Sequence, residues 1–258
     1  MRAAVPTLLF ALGGTAWGAE PPPASPRPVD GGVHTPFYPA SVSQRTVSVG
    51  PFRLDATPVT VDDYRAFVVG SPEWQKGDPP AIFADSSYLR SWTGPTEPSV
   101  QDGHVPVTEV SWFAARAYCQ SKSGALPTVH QWEYAADATA TAPHGARKDP
   151  QTLALILAWY GEGPAAALRP VAQRPPNHWG LHDMHAGVWE WTLDFSSLLI
   201  SADNRESGEA ENLRFCGAGA LSAQDVEDYA SFMRFAMRSS LSASSTTANM
   251  GFRCAYPR

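Results

Sequence analysis

The 258-residue sequence has little cysteine, little positive charge and only one long apolar run. Its three cysteines, Cys119, Cys216 and Cys254, allow at most one disulfide and leave one thiol over. The residues alone do not choose the pair. With 19 Lys and Arg against 25 Asp and Glu, a net charge of -6 and no dense basic run, nucleic acid and anionic membrane surfaces are excluded as partners. The apolar run, from about Ala3 to Leu12, is too short to span a bilayer comfortably, and no cysteine follows it to take a lipid. No membrane insertion is expected once it is removed.

Proline, glycine and tryptophan are plentiful instead. Twenty-four prolines, 20 glycines and nine tryptophans argue against a helical bundle and for long loops pinned by aromatic side chains. The hydrophobic share of 43% fills one large core, so a single domain is expected. Residues 1–19 read as a signal peptide, with Arg2, the apolar stretch and small residues before Glu20, cut near Gly18 or Ala19. The mature chain is then periplasmic or secreted. Residues 20–32, rich in proline, read as an extended and poorly ordered leader, and residues 33–258 as the domain.

RTVSVGPFRLDATPVT, with apolar alternation around a Gly-Pro turn, predicts a hairpin. Thr60 and Asp63 cap a helix that turns Val61, Tyr64, Phe67 and Val68 inward. Residues 70–110 are too rich in proline and glycine for long elements, and Tyr88 and Trp92 read as staples of that loop to the body. Ser111 caps a second helix with Trp112, Ala115 and Cys119 near one face. Thr128 and Gln131 form a capping box for a third, which turns Trp132 and Ala136 inward. Glu133, on that helix beside tryptophan, reads as a satisfied structural partner, not a catalytic acid. Residues 139–170 read as surface loop.

Three segments together resemble one family. They are PPNHWGLHDMHAGVWEWTLDF at 175–195, LPTVHQWEYAADA near the middle and NMGFRCAYP at the end. The chain is similar to the formylglycine-generating enzymes, or sulfatase-modifying factors. The resemblance implies an α+β, loop-rich, single-domain variant of the C-type lectin fold. It also implies a disulfide between Cys119 and Cys254, leaving Cys216 as the odd thiol. SWFAARAYC, YASFMRFAMRSS and FADSSYLRSW are closest in wording to members found with denitrification enzymes.

The same comparison exposes a gap. Formylglycine generators bind copper(I) through two cysteines that, counted back from Arg238, fall on Asp225 and Ala230 here. Neither a carboxylate nor a methyl group replaces a dithiolate. Cys216, followed by Gly217, Ala218 and Gly219, is the remaining catalytic candidate, as a lone copper ligand or redox thiol, against the plain reading of a small core residue. Asp225 to Tyr229 read as an acidic turn.

The family's calcium site maps onto Asp183, Ala186, Val188 and Glu190, a side-chain oxygen, two carbonyls and a carboxylate that suit a hard cation. A second family calcium site, in residues 139–170, finds no matching ligands. His178, His182 and His185 share one nine-residue window, and imidazoles suit copper, zinc or iron. His185, Trp189 and Asp225 are therefore candidates for a pocket or transition-metal site. The expected function is maturation of, or assistance to, another envelope protein or peptide, with a copper or redox enzyme as partner. A metal-dependent oxidase similar to the pyoverdine-maturing relatives is the alternative, and a lectin-like binding module a third reading.

Overall fold

The computed structural model describes residues 25–36, 45–162, 167–195 and 226–258. Its first elements are four short strands, β1 (Arg27–Val29), β2 (Gly32–His34), β3 (Val47–Val49) and β4 (Phe52–Leu54). The expected hairpin of β3 against β4 does not form. β1 instead pairs antiparallel with β4, and β2 with β3, with Arg27 opposite Leu54 and Gly32 opposite Val49. Gly31 and Gly50-Pro51 interrupt the two arms at the same level, so one bent ribbon divides into two sheets. Gly31 has φ +78°, and a Cβ there would stand 2.4 Å from the Val49 carbonyl oxygen, so the crossing admits only glycine.

The last residues of the stretch read as a poorly ordered leader are thus a strand of the fold, and the folded region takes in Arg27, ahead of residue 33. The reason is packing. Val29 is fully buried in a second core cluster with Leu54, Trp132, Tyr134 and Leu181. The other flank of β4 pairs with the C-terminal β7 (Ala255–Pro257), which gives the order β1-β4-β7.

Three helices form where their caps and faces place them. α1 (Val61–Gly70) has the Thr60–Asp63 capping box and buries Val61, Tyr64, Phe67 and Val68. α2 (Trp112–Ser121) is capped by Ser111 and buries Ala115 and Cys119, while Trp112 is half-buried and donates its indole N–H to the Thr192 carbonyl at 3.0 Å. α3 (Val129–Ala136) has the Thr128–Gln131 box and buries Trp132 and Ala136. In the loop between α1 and α2, Tyr88 and Trp92 are buried, and the Tyr88 hydroxyl meets that of Tyr64 at 2.7 Å. They staple the loop as expected.

Residues 139–170 differ from the surface loop expected. They contain α4 (Pro150–Glu162), whose start carries a recognisable signal: Asp149 accepts the Thr152 amide at 2.8 Å and Pro150 takes the first position. Likewise Val226 onward, read as an acidic turn, is the beginning of α5 (Val226–Ser239). Tyr160 of α4 donates its hydroxyl to the Ala230 carbonyl of α5 at 3.0 Å.

β5 (Trp189–Glu190) runs parallel to β6 (Met250–Gly251) and carries the central ion pair. The Arg253 guanidinium meets both Glu190 oxygens at 2.8 Å, and its remaining donors reach the carbonyls of Asp55, Ala56 and His182. Arg253 is fully buried. Beside it Cys119 and Cys254 are joined in a disulfide, with Cα atoms 5.4 Å apart, that ties α2 to the C-terminal segment.

Candidate functional site

A cavity of about 50 Å³ lies between α3 and α5, with His34 of β2 and Phe195 on its rim. α3 contributes Val129, His130, Glu133 and Ala136, and α5 contributes Ser231, Arg234, Phe235 and Arg238. Helical spacing makes this possible. His130 and Glu133 are three apart on α3, and Arg234 and Arg238 four apart on α5, so each pair shares a face.

Glu133 is the hub. Its carboxylate accepts three hydrogen bonds from Arg234, at 2.7 to 3.1 Å, and one from Arg238 at 2.9 Å. Burial by itself would raise the Glu133 carboxyl, but the two guanidinium charges hold it well below the usual carboxylate range. Both guanidiniums also lie over the Trp132 ring, at 5.5 and 4.8 Å from its centroid. Arg234 is 4% exposed and Arg238 5%, so two buried cations share one carboxylate.

Two imidazoles of the cavity, those of His34 and His185, are held neutral. Burial brings His34 down to about 4, and burial reinforced by the Arg234 charge does the same for His185. His185 packs edge-on to Trp132, and its Nε2 lies 2.8 Å from the Ala136 carbonyl. A carbonyl oxygen accepts only, so Nε2 carries the hydrogen and Nδ1 is a bare lone pair. That Nδ1 is buried without a hydrogen-bond partner among the described residues, as is Nδ1 of His130.

The structure separates the three clustered histidines. His182 turns Nδ1 to the Arg174 carbonyl at 2.8 Å, His178 packs edge-on to Trp179, and only His185 reaches the cavity. Among the described residues no group of three or more His, Cys, Asp or Glu is placed to hold a metal ion. Trp189 does not line the cavity. It stacks on Tyr160 at 5.1 Å and packs tilted against Trp159 at 4.8 Å. Cys216 and Asp225 lie outside the described residues. Ala230, the second position matched to a catalytic cysteine, is 1% exposed within α5, next to Ser231 of the cavity wall.

The four residues matched to a calcium shell divide. Asp183 suits a cation, because burial raises its carboxyl and, among the described residues, Oδ2 accepts the Ala172 amide alone, at 2.6 Å. Glu190 does not, since Arg253 takes both oxygens and the Trp132 indole donates to Oε2 at 2.7 Å. The Ala186 carbonyl accepts the Val188 amide at 3.0 Å. As arranged, the set does not fit calcium, whose shell needs both carboxylates to face the ion.

His34, His130, Arg234 and Arg238 were not among the sequence candidates. The pairs of arginines and of polar α3 residues at helical spacing were the available signal. That they face each other follows only from the packing of α5 on α3.

The sulfatase-modifying factor enzyme 1-like domain matches residues 7–257. The chain belongs to this family. Among its relatives, the inactive C-alpha-formylglycine-generating enzyme 2 of Mus musculus is 32% identical over 57% of this chain and 59% of its own length. The chain thus matches less than two thirds of that relative. The formylglycine-generating enzyme of Streptomyces coelicolor is 29% identical and is covered over 94% of its length, with 93% of this chain. Of solved structures, PvdO from Pseudomonas aeruginosa covers 90% of the chain at 16% identity and a TM-score of 0.47, a likeness too distant to argue from.

Proposed function

We propose that this chain is an exported family member that does not make formylglycine and instead assists the maturation of another envelope protein, a copper or redox enzyme, by holding a segment of it. The observation that carries this reading is the wall beside Ala230. A formylglycine generator brings two thiolates to copper(I), whereas this position is a buried methyl and the adjoining cavity is walled by imidazole, guanidinium and carboxylate. A relative named as inactive supports the loss of chemistry. The cavity is a recognition site in chemical character, with apolar walls and a few convergent polar groups.

Two measurements test the reading. A sulfatase-type cysteine peptide, incubated with the protein, copper and oxygen, stays unconverted by mass spectrometry. Turnover that disappears in Cys216→Ser overturns the first half. In the host, deletion of the chain lowers the metal content of its exported copper enzyme; unchanged metal content and activity overturn the second.

A further inference from the structure

The two α5 arginines of the cavity use their donors differently. Arg234 spends all three guanidinium nitrogens, on Glu133, Tyr160 and Ser231. Arg238 makes one hydrogen bond among the described residues, from Nη1 to Glu133 at 2.9 Å, so its Nε–H and Nη2–H groups remain available although the residue is only 5% exposed. The second feature has the opposite polarity. Nδ1 of His185 is a bare acceptor, fixed by the Nε2–H bond to Ala136, and it has no donor among the described residues. Both groups line the cavity and meet the same indole, Arg238 at 4.8 Å and His185 at 6.2 Å from the Trp132 ring centre. Nδ1 of His130 is a further buried nitrogen there without a partner among the described residues. Buried polar atoms left unpaired are costly, so the arrangement calls for a ligand that accepts and donates at once. A carboxylate accepts from Arg238 but brings no hydrogen to Nδ1. A metal ion answers Nδ1 and does nothing for a guanidinium.

The size of the cavity narrows the choice. With ~10–15 Å³ for each water-sized group, a volume of about 50 Å³ admits about three to five non-hydrogen atoms. We propose that the cavity receives a primary carboxamide, that of an asparagine or glutamine side chain, with its carbonyl oxygen accepting from Arg238 and its amide nitrogen donating to His185 Nδ1. The head group, one carbon, one oxygen and one nitrogen, is within the size limit, and its second N–H is free for Nδ1 of His130. Donor and acceptor stand on separate atoms of one plane, which suits partners on α5 and on the loop before β5, whereas a hydroxyl has both on a single oxygen. Val129, Ala136 and Phe195 supply an apolar wall for the methylene stem. The inference rests on the proposed role of holding a segment of another protein and states which side chain of the segment is held.

The test uses the full-length protein and four small probes of nearly the same size. Acetamide has donor and acceptor on separate atoms, acetone has the acceptor alone, acetate has acceptors and a charge, and propan-2-ol has both functions on one oxygen. NMR titration into the millimolar range, where probes this small bind, is expected to rank acetamide first, with each of the others weaker by about tenfold. Imidazole nitrogen NMR supplies an independent readout. The His185 Nδ1 resonance has the position of a bare acceptor in the free protein and moves toward the hydrogen-bonded position with acetamide but not with acetone or acetate. His185→Phe removes the preference for acetamide over acetone. Should that variant fail to fold, the ranking and the nitrogen shift on the unsubstituted protein still decide.

Binding of all four with equal affinity, or of none, overturns the proposal, as does acetate or propan-2-ol binding as tightly as acetamide. An Nδ1 resonance already at the hydrogen-bonded position in the free protein, and unmoved by acetamide, identifies an ordered water as the occupant and overturns it too. The N-acetyl N-methylamides of asparagine and glutamine settle the source. One of them binding at least as tightly as acetamide supports a side chain, and both binding more weakly overturns that source in favour of a free small amide. The outcomes separate cleanly from the broader reading. Formylglycine turnover defeats the non-enzymatic role without touching the probe ranking, and a flat ranking with no turnover defeats only this inference.

Discussion

Two buried Glu–Arg sites share one tryptophan and are built to different standards. At Glu190 one guanidinium meets one carboxylate, the Trp132 indole N–H completes the acceptor side, and three backbone carbonyls take the other donors of Arg253. At Glu133, on the face of the same indole, two guanidiniums converge on one carboxylate beside a cavity. The first site is closed: every charge is matched within the fold. The second is open: it borders a cavity where, among the described residues, Nδ1 of His130 and of His185 has no hydrogen-bond partner. A closed buried pair holds the architecture, and polar atoms left unpaired in a cavity are where a ligand completes the chemistry.

Breaking the closed site is expected to have the largest effect. Arg253→Met strands the Glu190 carboxylate out of water, and a loss of about 3 to 5 kcal/mol is expected in denaturant unfolding, with no recovery on adding acetate. A change below about 1 kcal/mol would show that the pair is dispensable. The neighbouring disulfide staples the same region. Cys119→Ser with Cys254→Ser should lower stability by about 2 to 5 kcal/mol, since the crosslink spans a sequence separation of 135 residues. Equal midpoints for the oxidised and doubly substituted proteins would contradict this.

The open site should respond differently. Glu133→Gln leaves two arginines over Trp132 without their counter-ion and is expected to destabilise by about 1 to 3 kcal/mol. Acetate should restore part of that loss, because the cavity admits a small anion. Acetate rescue at Arg253→Met but not at Glu133→Gln would invert the comparison.

Titration gives a smaller and graded effect. His34 and His185 ordinarily titrate near 6.5 but stay neutral to about 4 in the fold. The unfolded chain therefore takes up protons first, and their contribution is complete above pH 6.5 and declines as pH falls toward 4. Asp55 acts in the other direction. Burial pushes its carboxyl up to about 7 from an ordinary 3.8, so its contribution is present at low pH and is lost as pH rises through 7. His34→Gln should flatten the rise of the melting temperature between pH 4.5 and 6.5, and an unchanged slope would dissociate the cavity from that limb.

The smallest effect is expected from chelation. With Glu190 already matched by Arg253, removal of calcium should leave the melting temperature unchanged. A clear drop, reversed by calcium and absent in Asp183→Ala, would restore the four-residue shell.

The helices around the core could be read in advance because their determinants are local. The Thr60–Asp63 and Thr128–Gln131 boxes and the buried faces of α1 and α3 need only residues within one or two turns. α4 was missed although Asp149 and Pro150 announce it, because its surroundings are rich in alanine and glycine and its apolar residues are not confined to one face. The β3–β4 hairpin failed for a non-local reason. The partner of each strand lies in residues 27–34, a stretch whose prolines resemble those of a linker.

The sequence by itself determined the family, the capped helices, the missing cysteine at position 230 and the acidic, cysteine-poor character, since these depend on residue identity and short-range spacing. Tertiary structure alone decided which carboxylate is closed off in the core and which borders a cavity. Glu133 meets Arg234 and Arg238 across about a hundred residues of chain, and Glu190 meets Arg253 across 63. Charge balance in a folded interior is set by which side chains packing brings within 3 Å of one another, and no local pattern encodes that.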